Sequence, residues 1–371
     1  FLLKDENPRG SLSIPDLHNV FDAIKKAFPT KKVNVLGMDV CLMSMGEVCY
    51  QLRGLVDFVV GAEGYSATAG WPYGDVLKKV LERKEVEAED LSRLIVGQYT
   101  NYYSEYIVGG FSADMSAINV TSTSMDLFCR SVYLLTDLLN KQLLKGMKLK
   151  ENGERSEFLD QIVMAHWEAQ SYNGERYADL YDFCDLLEQR YAPRTLPEGA
   201  SAEQREDNAD RKALGQALCQ VKQLIKDVVV VASCFSGVDY QFSYGISVYF
   251  PWSTVTPDYK NLRFAKESGW YDFLKTYTDA TRRKPRGYKP VPPQHWANVE
   301  KFRTGEDRTG EDRGEPHPLY GNPVYSMRNP PLVPATPAGQ SECLKEQIVA
   351  IESLDKSFFT KETLMMMHAE Q

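Results

Sequence analysis

Cys41 is the residue whose surroundings are best suited to chemistry. It lies in Gly37-Met38-Asp39-Val40-Cys41-Leu42-Met43, directly after the short apolar run Val33-Asn34-Val35-Leu36. That run reads as a buried strand, and the carboxyl end of such a strand is where side chains leave the core and face a crevice. If extended geometry continues through Cys41, Asp39 and Cys41 point to the same side, because strand side chains alternate. Two readings follow. Cys41 is a nucleophile with a carboxylate two residues before it, or it is a buried core thiol beside a helix-capping aspartate. Other patterns carry less. Asn119-Val120-Thr121 fits a glycosylation acceptor. Asp182 and Asp185 lie in a Leu-rich helical stretch and read as structural, and no His, Cys or Asp set has metal-ligand spacing.

The elements that must position Cys41 read as an α/β domain. Leu17, Val20, Phe21, Ile24 and Phe28 recur at helical spacing over residues 13–28. The strand before Cys41 comes next, then a helix through Glu47 to Leu52 and a second strand at Phe58-Val59-Val60. The order helix, strand, helix, strand predicts a largely parallel sheet flanked by helices. Residues 61–76 are rich in Gly and Pro and read as a loop at the end of the second strand. Helical stretches follow at 87–106, 122–145 and 154–170, with 174–191 helical in part. Residues 193–210 read as a surface loop, 211–226 as a helix, and Val228–Ser233 and Tyr244–Phe250 as strands.

Composition sets the outer bounds. The 371 residues carry 51 acidic and 43 basic side chains, a net charge of −8, which argues against nucleic acid as the partner. Apolar runs such as Val228–Ala232 fall far short of the ~20 residues of a membrane helix, so no span is expected. Seven cysteines without paired or metal-type spacing read as free thiols and lean towards a reducing, cytoplasmic setting. The chain opens at Phe1 without a signal-like segment and reads as a mature or trimmed piece. Eleven of the 19 prolines lie between residues 281 and 340, so the expected organisation is a domain over 1–280, an extended Pro-rich tail over 281–342, and a short C-terminal helical element over 343–371.

Longer stretches carry a resemblance. Asp39-x-Cys41-Leu42-Met43, Glu47-Val48-x-Tyr50-x-Leu52-Arg53 and Gly70-Trp71-Pro72-Tyr73 resemble the clostripain family of bacterial cysteine peptidases. Ser116-Ala117-Ile118, Glu168–Tyr172, Asp179–Phe183, Gly245–Pro251, Phe264-Ala265-Lys266 and Gly269-Trp270-x-x-Phe273-Leu274 continue it in the same order over about residues 13–280. The resemblance implies a caspase-like fold and a Cys–His dyad, with Cys41 at the nucleophile's position. The family's histidine belongs to a His-Gly pair on an earlier strand, and this sequence contains no such pair. His18 reads as a solvated residue on the first helix, and His166, His295, His317 and His368 match no family motif.

Family members are often cleaved between the histidine and the cysteine. The resemblance therefore implies a heavy chain whose partner is an N-terminal light chain or segment carrying the histidine. It also implies a peptide or protein substrate cut after Arg or Lys. An unpaired carboxylate beside Cys41 disfavours the thiolate, so Asp39 makes sense facing a pocket where a basic substrate side chain neutralises it. Relatives often carry an acidic or amide residue just before the Gly-Trp pair, where this chain has Ala69. Basic specificity then rests on Asp39, with Glu63 either a second wall or a loop-capping carboxylate. Calcium dependence is a family property for which no ligand loop can be read, and no other cofactor is expected. The family points to a secreted or cell-envelope protein, against the cytoplasmic lean of the thiols. The alternative function is an inactive caspase-fold binding module in which Cys41 is merely buried, or a peptidase of different preference.

Overall fold

The computed structural model describes residues 3–6, 9–107, 110–252 and 254–281. The expected Pro-rich tail, apart from Thr281, and the expected helical element at 343–371 lie outside the described residues. The chain opens with the paired strands β1 (Leu3–Glu6) and β2 (Arg9–Leu12), followed by α1 (Ile14–Ala27). Ser13 starts α1 through a reciprocal capping box with Asp16. Next come β3 (Val33–Gly37), α2 (Gly46–Gln51), β4 (Val56–Gly61), α3 (Tyr73–Leu81), α4 (Ala88–Ser104) and β5 (Ala113–Asn119). Then follow α5 (Ser122–Glu151), α6 (Glu157–Glu168), β6 (Ser171–Tyr172), β7 (Tyr177–Asp179), α7 (Leu180–Arg190) and α8 (Ala202–Leu224). The last are β8 (Val230–Ser236), β9 (Ser247–Tyr249), α9 (Arg263–Glu267) and α10 (Trp270–Thr281).

The main sheet has the order β3-β4-β5-β8. It is flanked by helices as expected for the α/β class, but only β3 and β4 run parallel, with β4–β5 and β5–β8 antiparallel. The largely parallel expectation gives way because two helices, α3 and α4, intervene between β4 and β5. One crossover helix returns the chain to the end where a strand began, and a second reverses it again. β5 itself carried little strand signal. Its sequence Ala-Asp-Met-Ser-Ala-Ile-Asn lacks a β-branched run, since a strand buried on both faces has room for Ala and Ser.

Alternation divides the strands between two cores. Val59 and Ile118 face a core with Val48, Met125 and Phe128, whereas Val60, Ala117 and Met115 face another with Ile95, Val96 and Tyr99 of α4. Residues 202–210, expected as loop, form the start of α8 under a Ser201–Gln204 capping box. They are largely exposed there, so polarity marked a solvated helix face. Tyr73 to Val76, also expected as loop, begin α3. Among the described residues no helix is long and apolar enough to cross a membrane.

β6, β7 and β9 form a second, antiparallel sheet. Next to it His166 of α6 is stacked between Phe250, at 3.6 Å between ring centroids, and Trp252, at 3.9 Å. Its Nδ1 pairs with the Tyr277 hydroxyl and its Nε2 with the Phe250 carbonyl, both at 2.9 Å. Both ring nitrogens are used by a neutral imidazole, and burial lowers its pKa to about 3. Because the unfolded chain binds this proton below pH ~6.5 and the fold does not, the group costs stability as pH falls from there towards 3. His166→Gln is expected to flatten the decline in unfolding free energy between pH 6.5 and 4, by up to about 1.4 kcal/mol per pH unit relative to the parent. Urea titrations across that range check it, and parallel slopes would contradict it.

Candidate active site

Strand β3 ends at Gly37, so extended geometry does not run through Cys41. The side chains of Asp39 and Cys41 are related instead through a common neighbour, the loop 62–72. Residues 38–44 follow the end of β4 by backbone bonds from Met38 N–H to Val60, Leu42 N–H to Gly64, and Met43 and Ser44 N–H to Ala62. The chain turns sharply at Leu42, whose φ of 64° is in the left-handed region. For a residue with a Cβ this costs about 1–2 kcal/mol and marks a conformation imposed by its surroundings. Ser44 is fully buried behind the turn, donating to the Gly61 carbonyl at 2.8 Å while its own carbonyl accepts Ser247 N–H at 2.9 Å.

The loop 62–72 grips both candidate residues. Ser66 N–H donates to Cys41 Sγ at 3.3 Å, a bond that a charged sulfur accepts more strongly than a thiol. Asp39 Oδ2 accepts both Trp71 N–H and the Tyr73 hydroxyl at 2.9 Å. Gly70, at φ 77°, packs so closely that a Cβ there would lie 2.8 Å from the same oxygen. The loop is held in turn by Tyr99, whose hydroxyl accepts Ala67 N–H at 3.1 Å, and by Tyr103, whose hydroxyl donates to the Gly70 carbonyl at 2.6 Å. Cys41 and Asp39 are both half-buried. The core-thiol reading therefore does not describe Cys41, whereas Cys49, Cys129 and Cys184 are buried free thiols.

Glu63 lies elsewhere. It is fully buried, its Oε2 accepts Gly245 N–H at 2.7 Å, and its remaining oxygen has no N–H or O–H donor. Of the two sequence readings the structure supports the capping one; Glu63 lines no open wall. Its carboxyl hydrogen-bonds that of Asp179, which also accepts Tyr244 N–H and Asp182 N–H, and nearby Asp114 accepts Glu63 N–H and Gly64 N–H. Burial, with carboxyl repulsion second, pushes Glu63 well above the usual range; burial raises Asp179 to about 7 and Asp114 to about 6. One proton shared between Glu63 and Asp179 accounts for the oxygen without a donor. A cation site calls for ionised carboxylates with free oxygens, and these are committed to backbone N–H groups and biased towards protonation. Among the described residues no group of His, Cys, Asp and Glu could hold a metal ion, and no calcium enters the chemistry below.

The described histidines are engaged away from this loop. His18 is half-buried rather than solvated, its Nδ1 2.7 Å from the Gln51 carbonyl, and His166 is enclosed as described above. His295, His317 and His368 lie outside the described residues. Asp182 is buried and its carboxylate accepts Gln170 N–H at 2.7 Å, a structural role as expected. Sequence reasoning missed Ser66 and Tyr73. Ser66 acts through its backbone and leaves no side-chain signal, while Tyr73 stood in view within Gly70-Trp71-Pro72-Tyr73 without a role.

Several solved structures match the chain at low identity. A cysteine protease of B. fragilis is 16% identical, over 74% of this chain and 99% of that one, with a TM-score of 0.45. A secreted cysteine protease from Bacteroides thetaiotaomicron in complex with an irreversible peptide inhibitor is 15% identical, over 71% of this chain and 64% of that one, at 0.46. A clostripain from the same organism, in complex with a peptide inhibitor, is 13% identical over 74% and 96%, at 0.41. No curated protein sequence matches the chain. The model of the clostripain family matches residues 3–277, and on that match the chain belongs to the clostripain family of cysteine peptidases.

Proposed function

We propose that the chain carries the nucleophile and the specificity carboxylate of a cysteine endopeptidase that cleaves after basic residues. The histidine of the dyad is supplied by a segment outside this sequence. The observation that carries this reading is the common loop. The same eleven residues, 62–72, donate to Cys41 Sγ and to Asp39 Oδ2, so a scissile carbonyl at the sulfur and a side chain at the carboxylate fall within one short peptide.

Mechanism follows from the groups present. A free thiol with a pKa near ~8.5 becomes an effective nucleophile when a neighbouring imidazolium stabilises its thiolate. The Cys41 thiolate attacks the carbonyl carbon of the substrate. Among the described residues no backbone carbonyl pairs with the Cys41 amide, and we assign it to the developing oxyanion as donor. The histidine then protonates the leaving amine, and water hydrolyses the acyl-enzyme. β3 supports an external source for that histidine. It pairs with β4 on one side only among the described residues, and its side chains are half-buried or exposed. A strand added at that edge would satisfy its free backbone groups and deliver its end beside residues 38–41.

Two outcomes test the reading on the peptidase complete with its histidine-bearing segment. Cys41→Ala should lower kcat/KM by at least about 10³-fold with an unchanged far-UV spectrum; comparable residual turnover would place the nucleophile elsewhere. Asp39→Asn should cost about 10²-fold on substrates with Lys or Arg before the scissile bond (P1), and about tenfold or less on matched neutral ones. An equal loss on both would show that Asp39 supports the loop without reading the substrate.

A further inference from the structure

We propose that Tyr73 sets which basic residue this peptidase accepts, making it selective for Lys over Arg at P1. The inference rests on the reading of Asp39 as the specificity carboxylate and adds which of its oxygens a substrate can reach. An ionised carboxylate offers two oxygens with about two acceptor positions each. In this site both donors fall on one of them, because Trp71 N–H and the Tyr73 hydroxyl each lie 2.9 Å from Oδ2. The Gly70 backbone packs against the same atom, leaving no room even for a Cβ at that position. Oδ2 is thus filled and shielded from two sides. Oδ1 receives no donor among the described residues, and it is the oxygen left for an incoming cation.

The two basic side chains respond differently to a single open oxygen. A guanidinium gains its advantage over an ammonium by engaging both carboxylate oxygens through parallel N–H bonds. With Oδ2 occupied, Arg is reduced to one bond and must leave its other fork unpaired or solvated. An ammonium is a compact charge that needs no such match. Ala69 adds no polar group that could take the second fork.

Pro72 and the start of α3 fix this arrangement. Tyr73 is the first helical residue and its N–H returns to the Trp71 carbonyl at 2.8 Å. Trp71 is in turn buried against Gly37. The hydroxyl is therefore presented to Asp39 by a rigid turn and is not a freely swinging contact. Removing only the oxygen, as in Tyr73→Phe, opens a position on Oδ2 while the ring and the turn remain.

The test uses the complete peptidase and three matched peptides with Lys, Arg or the neutral isostere norleucine at P1. The parent enzyme should prefer Lys to Arg by about fivefold or more in kcat/KM. Tyr73→Phe should shift that ratio at least about threefold towards Arg. A parent that prefers Arg, or a ratio unmoved by Tyr73→Phe, overturns the proposal. A uniform loss on all three peptides overturns it as well, because it assigns Tyr73 to loop support alone. The underlying reading fails differently: the parent would then cleave the norleucine peptide as well as either basic one.

Discussion

Trp71 rests on Gly37, and the site depends on that contact. A Cβ at residue 37 would come within 2.8–2.9 Å of the indole, closer than packed atoms allow, so only glycine lets the ring close over the end of β3. The indole also belongs to the core formed with Val60, Val76, Tyr99 and Tyr103, which anchors the far end of the loop 62–72. The near end is anchored by Asp114, whose carboxylate caps the N–H groups of Glu63 and Gly64. Between those anchors the loop has little choice of path. It crosses the chain leaving β3 and places Ser66 N–H on Cys41 and Trp71 N–H on Asp39.

Carboxyls beneath the loop and a histidine buried elsewhere respond to pH in opposite directions. Glu63, Asp114 and Asp179 have raised pKa values. They bind protons in the fold that the unfolded chain has already released, so their stabilisation is full below pH ~4 and is lost as pH rises towards about 7. His166, with its pKa lowered to about 3, does the reverse and penalises the fold as pH falls below ~6.5. With three carboxyls against one imidazole, the sum of these four groups weakens the fold as pH rises from about 4 towards about 7. Glu63, Asp114 and Asp179 hold backbone N–H groups of residues 63–64, 182 and 244–245, so the same titration bears on the base of the loop.

Much of this was legible in the sequence. The run Val33 to Leu36 followed by Asp39-Val40-Cys41 marked a strand end with a candidate nucleophile and a carboxylate, and both residues do lie at one loop. The reason was different: strand alternation was expected to align them, whereas β3 stops at Gly37 and a turn with Leu42 in the left-handed region does the work. Glu63 could be read as wall or cap because a loop carboxylate has the same signature in both roles; burial decides for the cap. β5 escaped notice because Ala and Ser carry no strand pattern, and the start of α8 because a solvated helix face looks like a loop. What periodicity cannot carry is a backbone donor such as Ser66 N–H or the choice between two oxygens of Asp39.

The most direct measurement is peptide mapping by mass spectrometry after the complete peptidase reacts with a short peptide ending in a Lys-derived electrophilic ketone. The account predicts one adduct, on Cys41 alone among the seven cysteines, with labelling slowed by Asp39→Asn. An adduct on another cysteine, or labelling of Cys41 at the same rate in Asp39→Asn, would contradict it.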